Sequence, residues 1–201
     1  MSAPHEIEPA PELARLLREF GACGGVLDYV FLRCRATGRP EELHRSVAVA
    51  GMAAIDRRLE RYAISHATAQ YPINIFYRAT WDAARLVGEQ VPFEMFWGND
   101  DAAAKPTGRN SWSIPNVDGY KTAFFQPPYP LRGTEQEHEQ LFAHIGFLLF
   151  GPDPRACEIF SWGTDWSNYF DAGKEWWGAF FWTLRQPEAD VFTVIGASTT
   201  D

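Results

Sequence analysis

The stretch that decides the fold is residues 134–150, TEQEHEQLFAHIGFLLF, together with the three short segments that follow it. Thr134 and Glu137 have the spacing of a capping box, in which two side chains satisfy free backbone N–H groups where a helix begins. An apolar face at helical spacing follows, formed by Leu141, Ile145, Leu148 and Leu149. We therefore expect a helix over 134–150 that buries this face and ends at Gly151 and Pro152.

Working outward toward the C-terminus, residues 157–162, 175–184 and 191–197 are rich in aromatic and β-branched side chains. Their short connections predict a C-terminal antiparallel β-meander packed on helix 134–150. In the 163–174 connection, Gly173 is expected to supply the positive φ that reverses the chain. The side chains expected to be largely buried are Leu141, Ile145, Leu148, Phe160, Phe180, Val194 and Ile195.

Toward the N-terminus, helical and extended patterns alternate without the regular rhythm of a parallel βαβ fold. The expected helices are 9–20, 40–49, 52–64 and 80–87, with Gly51 separating the second from the third. The expected strands are 26–35, 73–78 and 93–97. The sequence thus predicts one α+β domain over residues 1–201, with helices in the N-terminal half.

Residues 98–130 are polar and rich in turn-forming side chains, with a short aromatic segment at 120–125. A stretch of this kind is either a long surface loop on one domain or an internal domain boundary. The sequence leaves both interpretations open.

Composition limits the functional classes. The 201 residues carry 18 Lys and Arg against 26 Asp and Glu, a formal net charge of −8. A net-negative chain without a basic run is a poor nucleic-acid binder and favours a basic partner. No apolar run is long enough to cross a membrane, and no secretory signal is recognisable at the N-terminus, so we expect a cytoplasmic protein.

The residues that commonly hold metals show no metal-binding spacing. Cys23, Cys34 and Cys157 are far apart in sequence. His138 and His144 are six positions apart, whereas a metalloprotease helix needs four. We expect no metal or other cofactor.

The segment most suggestive of function is residues 158–182, which hold five of the eight Trp residues. The candidate binding residues are Trp162, Asp165, Trp166, Tyr169, Phe170, Asp171 and Glu175. Two interpretations remain open for the rings. They are core side chains of the meander, or they are exposed anchors for a basic macromolecule, as in an immunity-type inhibitor that neutralises a basic enzyme or toxin.

Two further functional classes fit the same segment. Carboxylates within 158–175 are also what a small hydrolase would need as general acid and base. Aromatic rings beside carboxylates equally suit the binding of a carbohydrate or another flat ligand.

Overall fold

The computed structural model describes residues 3–35, 38–75, 77–98 and 119–198. Within these ranges the chain forms an α+β fold of six helices and one six-stranded antiparallel sheet. The helices are α1 (Pro11–Ala22), α2 (Pro40–His66), α3 (Phe93–Trp97), α4 (Gly119–Phe125), α5 (Glu135–Phe150) and α6 (Asp171–Trp176). The strands are β1 (His5–Ile7), β2 (Leu27–Arg33), β3 (Gly88–Gln90), β4 (Glu158–Trp162), β5 (Phe180–Arg185) and β6 (Val191–Ala197).

The sheet has the strand order β1-β2-β6-β5-β4-β3. Strands β4, β5 and β6 are consecutive and antiparallel, which confirms the predicted C-terminal meander. Strand β2 pairs with β6 along its full length, from Leu27 opposite Ala197 to Arg33 opposite Val191. The N-terminal strands therefore extend the C-terminal meander, and both halves of the chain share one sheet.

Both faces of the sheet are covered. On one face, α1, α3, α4 and α5 pack on side chains such as Tyr29, Trp182 and Ile195. On the other face, α2 and the 163–174 connection pack on Val30, Phe181 and others. Because successive strand residues point to opposite faces, each central strand contributes large apolar side chains to two cores. These two cores account for the high aromatic content of the chain.

Helix α2 is continuous over Pro40–His66, whereas a break at Gly51 was expected. Gly51 is buried against the sheet, and a Cβ atom at this position would lie 2.7 Å from Cγ2 of Val194. Glycine therefore permits close helix–sheet packing here, and the surrounding helix tolerates it because tertiary contacts outweigh its low helix propensity.

Three predicted N-terminal elements are wrong. Within the expected strand 73–78, residues Ile73–Ile75 form a 3-10 turn. Within the expected helix 80–87, only the 3-10 turn Ala83–Arg85 forms, capped by Asp82. The expected strand 93–97 is helix α3. Short apolar runs fit a helix and a strand equally well, and packing against the core decides between them.

Strand β5 starts at Phe180, later than the expected residue 175, because α6 occupies the preceding residues. The positive φ that reverses the chain belongs to Gly178, at 141°, and not to Gly173. Gly173 is required for a close approach instead, since a Cβ atom there would lie 2.4 Å from the backbone oxygen of Gly178.

The predicted helix 134–150 is confirmed as α5, including the reciprocal capping box of Thr134 and Glu137. Of the expected core, Leu141, Ile145, Phe160, Val194 and Ile195 are buried, and Leu148 and Phe180 are half-buried. In the 98–130 stretch, residues 99–118 lie outside the described part of the chain. The aromatic segment that follows them is helix α4.

Candidate functional site

The 163–174 connection is joined to the segment around Trp81 by a short antiparallel contact. Trp81 and Ser167 form an isolated β-bridge. The amide of Asp82 donates to the carbonyl of Trp166 at 2.8 Å, and the amide of Thr80 donates to Oδ1 of Asn168 at 2.7 Å. These bonds hold the two irregular segments together beside the core that lies between α2 and the sheet.

The four aromatic candidates of this segment are core side chains. Trp166 is 2 % exposed and meets the ring of Phe181 edge-on, with centroids 5.5 Å apart. Trp162, Tyr169 and Phe170 are likewise buried in the core between α2 and the sheet. The rings have the position that the core interpretation expects, and they do not present the exposed anchors that the binding interpretation places here.

Tyr169 also connects the segment to β2. Its hydroxyl donates a 2.7 Å hydrogen bond to Oδ2 of Asp28, which is half-buried. Burial raises the pKa of Asp28, while the bond from Tyr169 and the charge of Arg58 oppose that shift. The 163–174 connection is thus held by a polar contact as well as by its rings.

Two of the acidic candidates, Asp165 and Asp171, are exposed, whereas the aromatic candidates are buried. The side chain of Asp165 is 84 % exposed and pairs with Lys174, Oδ1 to Nζ, at 2.6 Å. The hydrogen bond from Lys174 is the main reason that the pKa of Asp165 is lowered. Asp171 is exposed and forms no ion pair with another described side chain. Glu175 lies in α6, but its side chain is outside the described part of the structure.

A polar cleft of about 450 Å³ lies between the two joined segments. We use the name polar cleft for this space, which is lined by Thr80, Trp81, Asp82, Arg85, Asp165, Trp166, Ser167, Asn168, Asp171 and Lys174. Two of the predicted acidic residues, Asp165 and Asp171, therefore line one cavity. Trp81, Arg85 and Lys174 line the same cleft. The sequence analysis placed Trp81 and Arg85 in an expected helix and Lys174 at the end of a connection, and it gave none of them a binding role.

Large exposed apolar side chains do occur in the segment that precedes Arg78, at positions that sequence reasoning missed. Tyr71 is 52 % exposed, Ile73 is 53 % exposed and Tyr77 is 39 % exposed. Burial, followed by the charges of Asp171 and Asp56, raises the pKa of Tyr77 to about 12. Tyr77 is therefore close enough to Asp171 to sense its charge. We call Tyr71, Ile73, Tyr77 and Asp171 the interaction surface.

The segment that carries these rings is fastened to α2 by Asp56. The guanidinium of Arg78 donates to both oxygens of Asp56, at 2.9 and 2.7 Å, and the amide of Ala79 adds a 2.9 Å bond. The hydrogen bond from Arg78 is the main reason that the pKa of Asp56 is lowered. A charge-assisted bidentate contact of this kind holds the segment in one geometry.

A second polar group lies inside the core. Nδ1 of His44 is 2.8 Å from Oγ1 of Thr183, and Nε2 is 3.5 Å from Oε2 of Glu158. The order hydroxyl, imidazole and carboxylate resembles a nucleophile, base and acid. However, His44 is fully buried and its ring stacks on Phe160, so a substrate has no access to it. Burial lowers the pKa of His44 to about 4.

The described residues contain neither a metal-binding cluster nor a membrane-spanning helix. Among these residues, no three His, Cys, Asp or Glu side chains are grouped closely enough to hold a metal ion. In the same part of the chain, no helix has the length and apolar character needed to cross a membrane.

Comparison with known proteins assigns no family. No protein-family model matches this chain, and no curated protein or solved structure is significantly similar to it. The function is therefore inferred from the geometry of the described residues.

Proposed function

We propose that the protein binds a basic macromolecule through the interaction surface and acts as a neutralising, immunity-type inhibitor of a basic enzyme or toxin. The observation that carries the proposal is the placement of the exposed ring of Tyr77 near the exposed carboxylate of Asp171, with exposed Tyr71 on the same segment of chain as Tyr77. Tyrosine rings supply contact area at a low entropy cost, and a neighbouring carboxylate selects a cation.

Residues of the interaction surface are adjacent in sequence to residues that are bound to α2 or buried in the core. Tyr77 precedes Arg78 and Ala79, which are bound to Asp56, and Asp171 follows the buried ring of Phe170. A surface that is already ordered loses little conformational entropy on binding, and this favours affinity. The buried rings thus contribute to binding by holding the exposed groups in place.

The negative charge of the C-terminal region attracts a basic partner at long range. Residues 151–201 carry eight acids and three bases, a net charge of −5 out of the total of −8. Complementary charge accelerates the encounter between two proteins, and the acceleration falls as salt increases. Close to the interaction surface the charges are more balanced, because Lys174 and Arg85 lie near Asp165. The tyrosines, rather than charge alone, therefore supply the short-range affinity in this proposal.

The hydrolase alternative has weaker support. A general acid needs a raised pKa, which burial in a cleft provides. Asp165 is exposed and its pKa is lowered by Lys174. Glu158 is held by Arg185, whose Nη2 lies 2.7 Å from Oε2. Both carboxylates are thus arranged as partners of cations.

The proposal places the protein in the cytoplasm. Cys23 and Cys157 form no disulfide with a described residue, and Cys157 is buried. Thiols persist in this state in a reducing compartment, where a cytosolic inhibitor would act.

The test is affinity capture from a lysate of the source cells with two matched double variants. Tyr77→Ala with Asp171→Asn removes one ring and one charge from the interaction surface. Phe147→Ala with Glu139→Gln does the same on the exposed face of α5, which packs on the opposite face of the sheet. Wild type and the α5 variant should retain the same basic protein, more weakly at higher salt, and the Tyr77/Asp171 variant should lose it. Equal retention by both variants would contradict the proposal.

A further inference from the structure

The polar cleft carries a second inference, and it shares only Asp171 with the interaction surface. We propose that it is a binding site for a neutral carbohydrate. Its volume of about 450 Å³ falls in the range of small-ligand pockets in proteins. The site involves binding only, and no chemical step is proposed.

The walls of the cleft are ordered before any ligand arrives. Oγ of Ser167 donates to the carbonyl of Thr80 at 2.9 Å, in addition to the bonds that join Asp82 to Trp166 and Thr80 to Asn168. The side chain of Asp82 accepts from the amide of Ala84 at 2.9 Å. A ligand therefore meets fixed backbone on both sides, and binding requires little ordering of the protein.

The groups that line the cleft match the hydroxyl groups of a sugar. Each hydroxyl both donates and accepts hydrogen bonds. Asp82 and Asp171 offer carboxylate acceptors, and Arg85 offers several N–H donors and forms no ion pair with another described side chain. The ion pair of Asp165 and Lys174 adds an acceptor and a donor 2.6 Å apart. Hydrogen bonds to charged groups are the stronger kind, which suits a ligand without charge of its own.

Trp81 supplies an apolar platform. Its side chain is half-buried, packs against the core between α2 and the sheet, and also lines the cleft. An indole ring has a flat apolar face of the kind that the C–H face of a pyranose ring covers. An apolar platform flanked by charged hydrogen-bonding groups distinguishes this cleft from a purely polar surface depression.

The mixed charge of the lining favours a neutral ligand over an ion. Three carboxylates, on Asp82, Asp165 and Asp171, oppose a phosphate or another anion. Arg85 and Lys174 oppose a cation in the same space. A neutral polyol can bind both sets of groups without repulsion from either.

The test is titration of the full chain with glucose, galactose, mannose, N-acetylglucosamine, maltotriose and chitotriose, followed by saturation-transfer NMR and tryptophan fluorescence. Glucose 6-phosphate and putrescine serve as charged probes. At least one neutral sugar should bind, and Arg85→Gln with Asp165→Asn should weaken it at least about tenfold. The control, Arg155→Gln with Glu94→Gln, likewise neutralises one cation and one carboxylate, at an exposed ion pair outside the cleft, and should leave the affinity unchanged.

Trp81→Ala should also weaken the sugar and abolish its effect on fluorescence; the Arg85/Asp165 variant covers the case in which loss of Trp81 impairs folding. The proposal is overturned if none of the six sugars binds, if glucose 6-phosphate or putrescine binds more tightly than every neutral sugar, or if the Arg85/Asp165 variant binds as wild type does. Failure of this test is distinguishable from failure of the capture experiment, because the sugar variants change Trp81, Arg85 and Asp165, whereas the capture variant changes Tyr77 and Asp171.

Discussion

The hydroxyl of Tyr169 lies 2.7 Å from Oδ2 of Asp28 and donates a hydrogen bond to it. The two residues are 141 positions apart in the sequence, in the 163–174 connection and in β2. This contact joins the connection to the sheet strand that pairs with β6, so the polar cleft has a fixed position relative to the sheet.

The first prediction concerns this bond. Tyr169→Phe keeps the buried ring and leaves Asp28 without its donor, which should lower the free energy of unfolding by about 1–3 kcal/mol. Urea denaturation measures the loss. Tyr77→Phe is the control, since Tyr77 is 39 % exposed and should change stability by less than about 0.5 kcal/mol. Equal losses in the free energy of unfolding for the two substitutions would show that the hydrogen bond between Tyr169 and Asp28 does not stabilise the fold.

The second prediction concerns Trp166 as a core residue. Trp166→Ala should destabilise the protein by roughly 3–5 kcal/mol, because it leaves a large cavity beside Phe181 and Phe170. Thermal and urea unfolding report the change. Tyr71→Ala, which truncates an exposed ring, should have little effect on either measurement. A Trp166 variant as stable as wild type would contradict the core assignment.

The third prediction is a pH dependence that originates at His44. Burial lowers its pKa to about 4, despite the neighbouring Glu158, and Arg185 adds to the lowering. Below about pH 6.5 the unfolded chain therefore binds a proton at His44, whereas the folded chain binds that proton only below about pH 4. Stability should fall by roughly 3 kcal/mol as the pH drops through this window and should recover as the pH rises.

The measurement is urea unfolding between pH 4 and 7.5 for wild type and for His44→Gln. Carboxylates elsewhere titrate in both proteins, so the difference between the two curves isolates His44. The difference between the two proteins in the free energy of unfolding should change steeply between pH 6.5 and 4. Parallel curves would show that His44 does not titrate abnormally.

The fourth prediction concerns the contact that fastens the interaction surface. Asp56→Asn weakens the bidentate bond from Arg78, so the amides of Ala79 and Thr80 should exchange with solvent at least about tenfold faster at neutral pH. Because the pKa of Asp56 is lowered in the fold, the difference should shrink as the pH falls below about 3.9. Glu60→Gln removes the other partner of Arg78, which is more exposed, and should have a much smaller effect.

Parts of the fold could be predicted from the sequence because their signals are local. Thr134 and Glu137 define the start of α5 through side chains three residues apart, and the sequence of β6 alternates between two buried faces. Gly51 was misleading because its role depends on Val194, which is distant in sequence. The two-sided burial of the sheet depends on helices from both halves of the chain, and no single stretch encodes it.

The candidate site could be predicted only in part. Asp165 and Asp171 line one cleft, which their sequence spacing does not predict, whereas the rings of Trp166 and Tyr169 are buried. The exposure of Tyr77 could not be predicted, because its neighbours suggested a strand. His44 had no local signal at all, since its partner Thr183 lies in β5.

The measurement that tests the central claim most directly is hydrogen–deuterium exchange of the protein with and without the basic protein that it captures. Exchange should slow on binding at residues 67–75, 77–79 and 168–171, which carry and adjoin the interaction surface, and should be unchanged on the exposed face of α5. Slowed exchange confined to α5 or to the β1 edge of the sheet, with these segments unaffected, would contradict the claim.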